Sequence, residues 1–410
     1  MKQKIFFAAC LICFCAFVNA QKVKVSKVLK AVEKQTNMML KEIPKAQAAN
    51  SGATSGGAEG NGSGALVSPR TLDSLKLKLV SSRDWTSGFF PGELWFLYEY
   101  TNKNEWKTEA EKFTANMERE KTNAGTHDMG FKMNSSFGNG YRFTNDAHYK
   151  EVIIQSAKTL STRFNPKIGC IRSWDHNKDK WIFPVIIDNM MNLELLFEAS
   201  KLSGDQSFYN IAVSHANTTM KNHYRADHSS YHVVDYDTAT GQVRKKITAQ
   251  GYADESAWAR GQAWGLYGFT MCYRETKNKA YLDHADQIAN FILNHPNLPA
   301  DMVPFWDYNA PGIPNEPKDA SAAAIAASAL YELSTYSRQG EYRKAADKIM
   351  ASLAKNYSAA KVDYRGFLLL HSTGSKPAKS EVDVPIIYAD YYYLEALLRM
   401  KKLMEGKELF

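Results

Sequence analysis

Two aspartates and one arginine carry the strongest chemical signal in this 410-residue chain. Asp128 lies in Thr126-His127-Asp128-Met129-Gly130-Phe131, and Asp188 follows the apolar run Pro184-Val185-Ile186-Ile187. Apolar neighbours withdraw water from a carboxyl group and raise its pKa, as a general acid working near neutral pH requires. Asp188 is therefore the candidate acid, and Asp128, in a more polar loop, its ionised partner. Both positions read equally as helix N-caps, a role that Asp fills well. A third segment, Gln250 to Gly265, places Arg260 and Trp264 four residues apart, so that near a helix start a guanidinium and an indole project from one face. Arg binds a carboxylate with two parallel hydrogen bonds and Trp stacks on a sugar ring, a combination suited to an acidic monosaccharide. The same two side chains also make a cation-π pair that only packs. The histidines are scattered, with no His-x-x-x-His, Cys-x-x-Cys or carboxylate-triad spacing, no Gly-rich nucleotide loop and no Gly-x-Ser-x-Gly elbow. No metal and no cofactor is expected, and carboxylates lead as acid and base.

These residues need a scaffold, and the chain after Trp85 supplies a repeat of paired helices. Tyr98 precedes Trp106 and Ala110, Phe197 precedes Phe208 and Ala212, Tyr273 precedes Tyr281 and Ala285, and Tyr331 precedes Tyr342 and Ala346. In each case an aromatic and an Ala at i and i+4 share a helix face, where large and small side chains interdigitate with a neighbour. A further helix is expected over about 145–163, an amphipathic one over 22–43, and a last one over about 384–403. Pairing the last with the first gives six hairpins, so the expected fold is all-α: an (α/α)6 barrel, or six-hairpin toroid. The long connections at 81–91, 125–141, 169–184, 227–258, 296–319 and 365–384 are rich in aromatic and polar residues. Gathered at one end of the ring, they would make a bowl suited to a carbohydrate.

Trp85 to Gly92, the Thr-His-Asp-Met-Gly-Phe loop, Ile187 to Asn192 and above all Gln250 to Gly265 resemble glycoside hydrolase family 88, the unsaturated glucuronyl hydrolases. The resemblance spans roughly residues 70–400 and implies the same barrel. It also implies an activity: release of the unsaturated 4-deoxy uronate from the non-reducing end of lyase-generated glycosaminoglycan oligosaccharides, by hydration of the C4 to C5 double bond. By motif match Asp188 is the general acid, and Asp128 holds ring hydroxyls and stabilises oxocarbenium-like charge. Arg260 and Trp264 match substrate-binding positions, and His232 and Gln250 match polar groups near the double bond. Trp85 and Trp174 match aromatic walls, while Lys246 and Thr248 match the aglycon side. Ser372 and Ser375, with Lys376, resemble an element of members that accept sulfated fragments, although Pro377 stands where a Lys is expected; a solvated turn is the other reading. Two other functions compete with this one: an unsaturated rhamnogalacturonyl hydrolase acting on pectin fragments, and a non-catalytic carbohydrate-binding toroid.

The N-terminus begins with Lys2 and Lys4, runs apolar from Ile5 to Val18 and closes on Val18-Asn19-Ala20. This is the pattern of a secretory signal peptide over residues 1–20, shorter than a membrane-spanning helix needs. A bacterial protein exported to the periplasm or beyond is expected, with no membrane span in the mature chain. Residues 21–410 would form one catalytic domain carrying a flexible Gly/Ser-rich loop at about 50–64. Three of the five cysteines leave with the signal, and Cys170 and Cys272 remain either as one disulfide or as two buried thiols. The formal charge of +8 has no basic run beyond Arg244-Lys245-Lys246, which argues against nucleic acid and is compatible with an anionic oligosaccharide. Composition excludes a collagen, a coiled coil and a polytopic membrane protein. Oligomeric state is left open.

Overall fold

Four helical hairpins turn in the same way. Each first helix ends on a Ser or Thr whose hydroxyl bonds back to the carbonyl four residues earlier: Thr101, Thr144, Ser203 and Thr276. The next residue, Asn102, Asn145, Gly204 or Lys277, is left-handed, with φ of 53°, 54°, 78° and 54°. The hydroxyl then accepts the N–H of the residue that opens the second helix, Lys103, Asp146, Asp205 or Asn278. Three of these openers also cap the second helix with their own side chains. Two residues thus reverse the chain, because a left-handed C-terminus followed directly by an N-cap satisfies the end groups of both helices.

The computed structural model describes residues 23–49 and 65–410. The expected signal peptide and the Gly/Ser-rich segment, residues 50–64, lie outside the described residues. The helices are α1 (Val25–Ala49), α2 (Phe89–Thr101), α3 (Asn104–Ala115), α4 (Asn139–Thr144), α5 (Ala147–Ser161), α6 (Leu193–Ser203), α7 (Gln206–Asn222), α8 (Ala259–Thr276), α9 (Lys279–Asn294), α10 (Ala320–Leu333), α11 (Gln339–Asn356) and α12 (Ile387–Met404). Burial sorts them into two rings. α10, nearly all Ala, Ser and Leu, is buried at every position, so it must be enclosed by other helices. α9 buries only Tyr281, His284, Ala285, Ile288, Ala289 and Ile292, one stripe at helical spacing, and shows its other face to solvent.

Six segments form the inner ring among the described residues: α2, the stretch 130–144 that includes α4, α6, α8, α10 and α12. Each packs on the next, and α12 closes on α2. Outside them lie α3, α5, α7, α9, α11 and α1, the last packing on α12. This is the (α/α)6 toroid. Trp106, Phe208, Tyr281 and Tyr342, with Ala110, Ala212, Ala285 and Ala346, are all buried between the rings, where the sequence repeat placed them.

Two features depart from the sequence reading. The stretch 125–141, taken as a long connection, is largely an inner helix: Gly130–Gly138 forms a wide π-type helix that runs into α4. Its glycines hide the helical pattern, yet they allow close packing. A Cβ on Gly130 would lie 2.5 Å from the Asn192 backbone, and one on Gly140 would lie 2.6 Å from the Tyr149 ring. The long connections also contain short strands that sequence reading did not foresee: β1 (Leu66–Asp73), β2 (Lys76–Ser81), β3 (Phe164–Asn165), β4 (Cys170–Ile171), β5 (Pro184–Ile186), β6 (Val233–Tyr236), β7 (Val243–Ile247), β8 (Ser372–Ser375) and β9 (Ser380–Val384). They pair as antiparallel hairpins, apart from one three-stranded sheet in the order β5-β6-β7. Cys170 on β4 and Cys272 on α8 are buried, unpaired thiols, which settles the disulfide alternative against pairing.

Candidate active site

Because the five consecutive hairpins run from inner helix to short turn to outer helix, and α12 packs against α2 and α10 in the same ring, the inner helices begin at the end of the ring where the long connections lie. The expected site residues sit at these beginnings. Trp85 precedes α2, Asp128 precedes the π-type helix, Asp188 lies on the tight turn Ile187–Asn192 that leads into α6, and Arg260 is in the first turn of α8. Six helix N-termini facing one mouth place partial positive charge there, a setting that favours an anionic ligand.

Trp85, His127, Asp128, Phe131, Trp174, Ile186, Asp188, Gln250 and Arg260 line a pocket of about 340 Å³. Neither aspartate caps a helix among the described residues. Asp128 accepts the Thr126 hydroxyl at 3.1 Å, and the His127 Nε2 stands 3.3 Å away without hydrogen-bond alignment. Asp188 is buried, and its Oδ2 has no hydrogen-bond partner among the described residues. Burial pushes its pKa up to about 7, helped by the Asp128 charge and opposed by Arg260 and the nearby Trp264 indole. An acid in that range holds its proton at neutral pH and gives it up readily.

The two carboxylates are tied together through their own segments. Asn192, one turn after Asp188, accepts the backbone N–H groups of Gly130 and Phe131 through its side-chain oxygen, at 2.7 and 3.2 Å. Behind Asp188 stands His232, its Nε2 3.8 Å from the free carboxylate oxygen. His232 Nδ1 accepts the backbone N–H of Ala249 and Gln250, so the ring proton must sit on Nε2, facing Asp188. Burial and the Arg260 charge push the His232 pKa down to about 3, which keeps the ring neutral. Trp264 is fully buried against Phe131 and Tyr392, and its indole N–H lacks a partner among the described residues.

Arg260 departs from its expected role as the clamp on a substrate carboxylate. Its guanidinium donates to Asp319 and Gln250, each at 2.9 Å, and to the carbonyls of Thr373 and Gly374 on β8. Asp319 in turn caps α10 with its other oxygen. Every terminal N–H of Arg260 is committed, so the residue fastens the β8-β9 hairpin to the ring while its charge acts on Asp188.

Six expected binding residues lie outside this pocket wall: His232 and Trp264 stand directly behind it, and Lys246, Thr248, Ser372 and Ser375 lie farther off. Lys246 stands on the far face of the small sheet, its ammonium 5.1 Å from the Tyr231 ring centre, because alternation along β7 turns it away from Ile247. Thr248 spends its hydroxyl on the Gly251 N–H inside its own loop. Ser372 is buried in β8, and Ser375 pairs with Ser380 at the hairpin end. Lys376 is paired with Glu316, which also accepts the Trp306 indole N–H. Sequence reading missed His127, Phe131 and Ile186 as lining residues, and Asn192 and Asp319 as their supports. Only Asp319 had a local signal, an Asp immediately before an Ala-rich helix.

A proton-holding carboxyl and a second carboxylate, set among aromatic walls at the mouth of a six-hairpin toroid, define a glycoside hydrolase. Residues 68–406 match the model of Glycosyl Hydrolase Family 88, and the chain belongs to that family. It is 53% identical over 327 residues to an unsaturated glucuronyl hydrolase of Formosa agariphila, covering 79% of this chain and 82% of that one. It is 35% identical over 342 residues to an unsaturated chondroitin disaccharide hydrolase of Streptococcus pneumoniae, covering 82% and 86%. Among solved structures it is similar to an unsaturated glucuronyl hydrolase specific for heparin, with a TM-score of 0.82 and 44% identity over 92% of this chain and 98% of that one. The chain is thus an enzyme, which removes the non-catalytic toroid from consideration.

Proposed function

We propose that the protein hydrolyses lyase-generated glycosaminoglycan fragments at the unsaturated 4-deoxy uronate of their non-reducing end. The observation that carries this reading is Asp188, protonated near neutrality and free at Oδ2, facing a pocket that also holds Asp128. An ordinary glycosidase protonates the leaving oxygen; a vinyl ether is instead protonated on carbon. Asp188 donates its proton to C4, the double-bond electrons form the new C–H bond, and positive charge spreads over C5 and the ring oxygen beside the Asp128 carboxylate. Water adds to C5 and yields a proton to Asp188, now a base, which restores the acid. The resulting hemiketal opens to a ketone at C5. The hemiacetal left at C1 then expels the rest of the chain as an alcohol, with one water consumed in all. Neutral His232, with its Nε2 proton near Asp188, positions the acid without competing for its proton.

Heparin-type fragments are the favoured substrates. The similarity to a heparin-specific relative supports this. Absorbance of the conjugated double bond should fall on addition of enzyme to unsaturated heparin disaccharides. Loss with the pectin-derived substrate alone would reverse the assignment in favour of a rhamnogalacturonyl hydrolase. Export, read from residues 1–20, belongs to the same proposal. N-terminal sequencing of the protein from the periplasmic fraction should begin near Gln21; an intact Met1 there would refute it.

A further inference from the structure

Beyond the pocket, the sheet β5-β6-β7 presents a feature that catalysis does not use. Trp174 and Ile186 line the pocket and also belong to an apolar cluster with Trp181, Val233 and Ile247. Trp174 and Trp181 are in ring contact, with centroids 5.8 Å apart. Over Trp181 converge two ammonium groups, Lys180 at 4.7 Å and Lys245 at 4.9 Å from the ring centre. Lys245 lies two residues from Ile247 on β7 and so shares its face of the sheet. Its ammonium donates to the Lys180 carbonyl at 2.6 Å.

Neither lysine has an ion pair among the described residues, although acids are close along the chain. Asp235, opposite Lys245 in the sheet, is held by Arg244 and by the N–H groups of Ile182 and Phe183. Asp175 is taken by Arg163 and Arg172. Two like charges over one indole repel each other, and Asp179, next to Lys180 in the chain and exposed, forms no ion pair with either lysine among the described residues. The adjacent Ile182 is 45% exposed. The result is an anion-attracting ledge, continuous with the pocket through Trp174.

We infer that Lys180 and Lys245 form a binding site for a sulfate or carboxylate group on the leaving portion of the substrate, beyond the sugar held in the pocket. The inference rests on the proposed function for the identity of that leaving portion. The occupant is an acidic sugar, because both cations are unpaired and the ledge begins at the pocket wall. Two exposed ion pairs are individually weak, so their joint loss should weaken binding by about ten-fold.

The test compares two substrates: a sulfated unsaturated tetrasaccharide, and an unsaturated glucuronyl unit joined to an uncharged aglycon. The double variant Lys180→Ala/Lys245→Ala should raise KM for the tetrasaccharide by about ten-fold with kcat unchanged, and leave both constants for the uncharged substrate as they were. Lys180→Arg/Lys245→Arg should behave as the parent protein. An equal loss on both substrates, or no change on the tetrasaccharide, overturns the ledge. Calorimetric binding of the same tetrasaccharide to Asp188→Asn, with and without the lysine substitutions, gives the answer independently of turnover. If the parent enzyme consumes neither substrate, the proposed function falls, while a loss of tetrasaccharide affinity on removing the lysines still supports the ledge and an unchanged affinity still refutes it.

Discussion

Asp188 works as an acid because burial makes its charged form costly, and two pH effects of the same sign follow. Turnover needs the protonated form, so kcat should fall as pH rises through about 7. Asp188→Asn should lower kcat by at least about a thousand-fold at every pH, read from loss of double-bond absorbance. For stability, the folded state holds this proton more tightly than the unfolded chain, whose carboxyl titrates near its ordinary value of 3.8. Stability contributed by Asp188 is complete below that value and declines as pH rises toward about 7. The Asn variant should therefore match the parent in Tm near pH 4 and exceed it above pH 7, in paired thermal melts. Arg260 opposes the rise in the Asp188 pKa. Arg260→Gln should move the alkaline limb of kcat upward, whereas Arg260→Lys should keep the limb in place and raise KM, because lysine lacks the fork that holds Thr373 and Gly374. A limb that moves equally in both variants would refute a separate electrostatic role.

The element that sets the spacing of the two carboxylates is the contact between the π-type helix and the turn before α6. Helices of this width are uncommon and often mark functional sites, since bonding from i to i+5 puts one more residue in each hydrogen-bonded loop and redirects side chains. Here Gly130 lets the helix start lie directly on Asn192, whose side chain then satisfies two N–H groups at that start. Gly130→Ala must push the segments apart, because the added carbon would sit 2.5 Å from backbone. The expected result is a drop in kcat/KM of more than about ten-fold with the circular dichroism spectrum retained. Unchanged activity would show that the carboxylate spacing is set elsewhere. Asn192→Ala leaves the same N–H groups buried without an acceptor and should cost about 1–3 kcal/mol in urea denaturation.

At the scale of the whole molecule, the two ends of the ring divide the labour. The mouth gathers helix N-termini and the chemistry; the opposite end is sealed by buried ion pairs between inner helices. There Arg274 of α8 donates to both oxygens of Glu332 on α10 at 3.0 Å, and Arg399 of α12 pairs with the same Glu332 at 3.2 Å. Arg274 also reaches Glu194 on α6, so the network spans four inner helices. Removing one partner of such a set leaves uncompensated charge in the interior. Glu332→Gln should cost about 3–5 kcal/mol in chemical denaturation, with kcat per folded molecule unchanged well below the transition. Thiol reductants, by contrast, should not alter Tm, because Cys170 and Cys272 are unpaired.

The sequence by itself determined the ring. Aromatic and Ala pairs at helical spacing, Ser or Thr before a left-handed residue, and Asp or Asn at helix starts are local patterns, and local patterns fix helices and their reversals. Local motifs marked Asp128, Asp188 and the Arg260-Trp264 pair one by one, and the resemblance to the family joined them with Trp85 and Trp174 into one site. Tertiary structure decided what each of them faces. The helix over 130–138 escaped notice because its glycines serve a contact with residue 192, which no local pattern reports. Arg260 carries the charge of a ligand residue, yet its partners come from residues 250, 319, 373 and 374, on three other connections. Lys246 and Lys245 are adjacent in sequence, and only the pleat of β7 sends one toward Tyr231 and the other toward the pocket side. The pKa of Asp188 likewise depends on burial, and burial belongs to the closed ring.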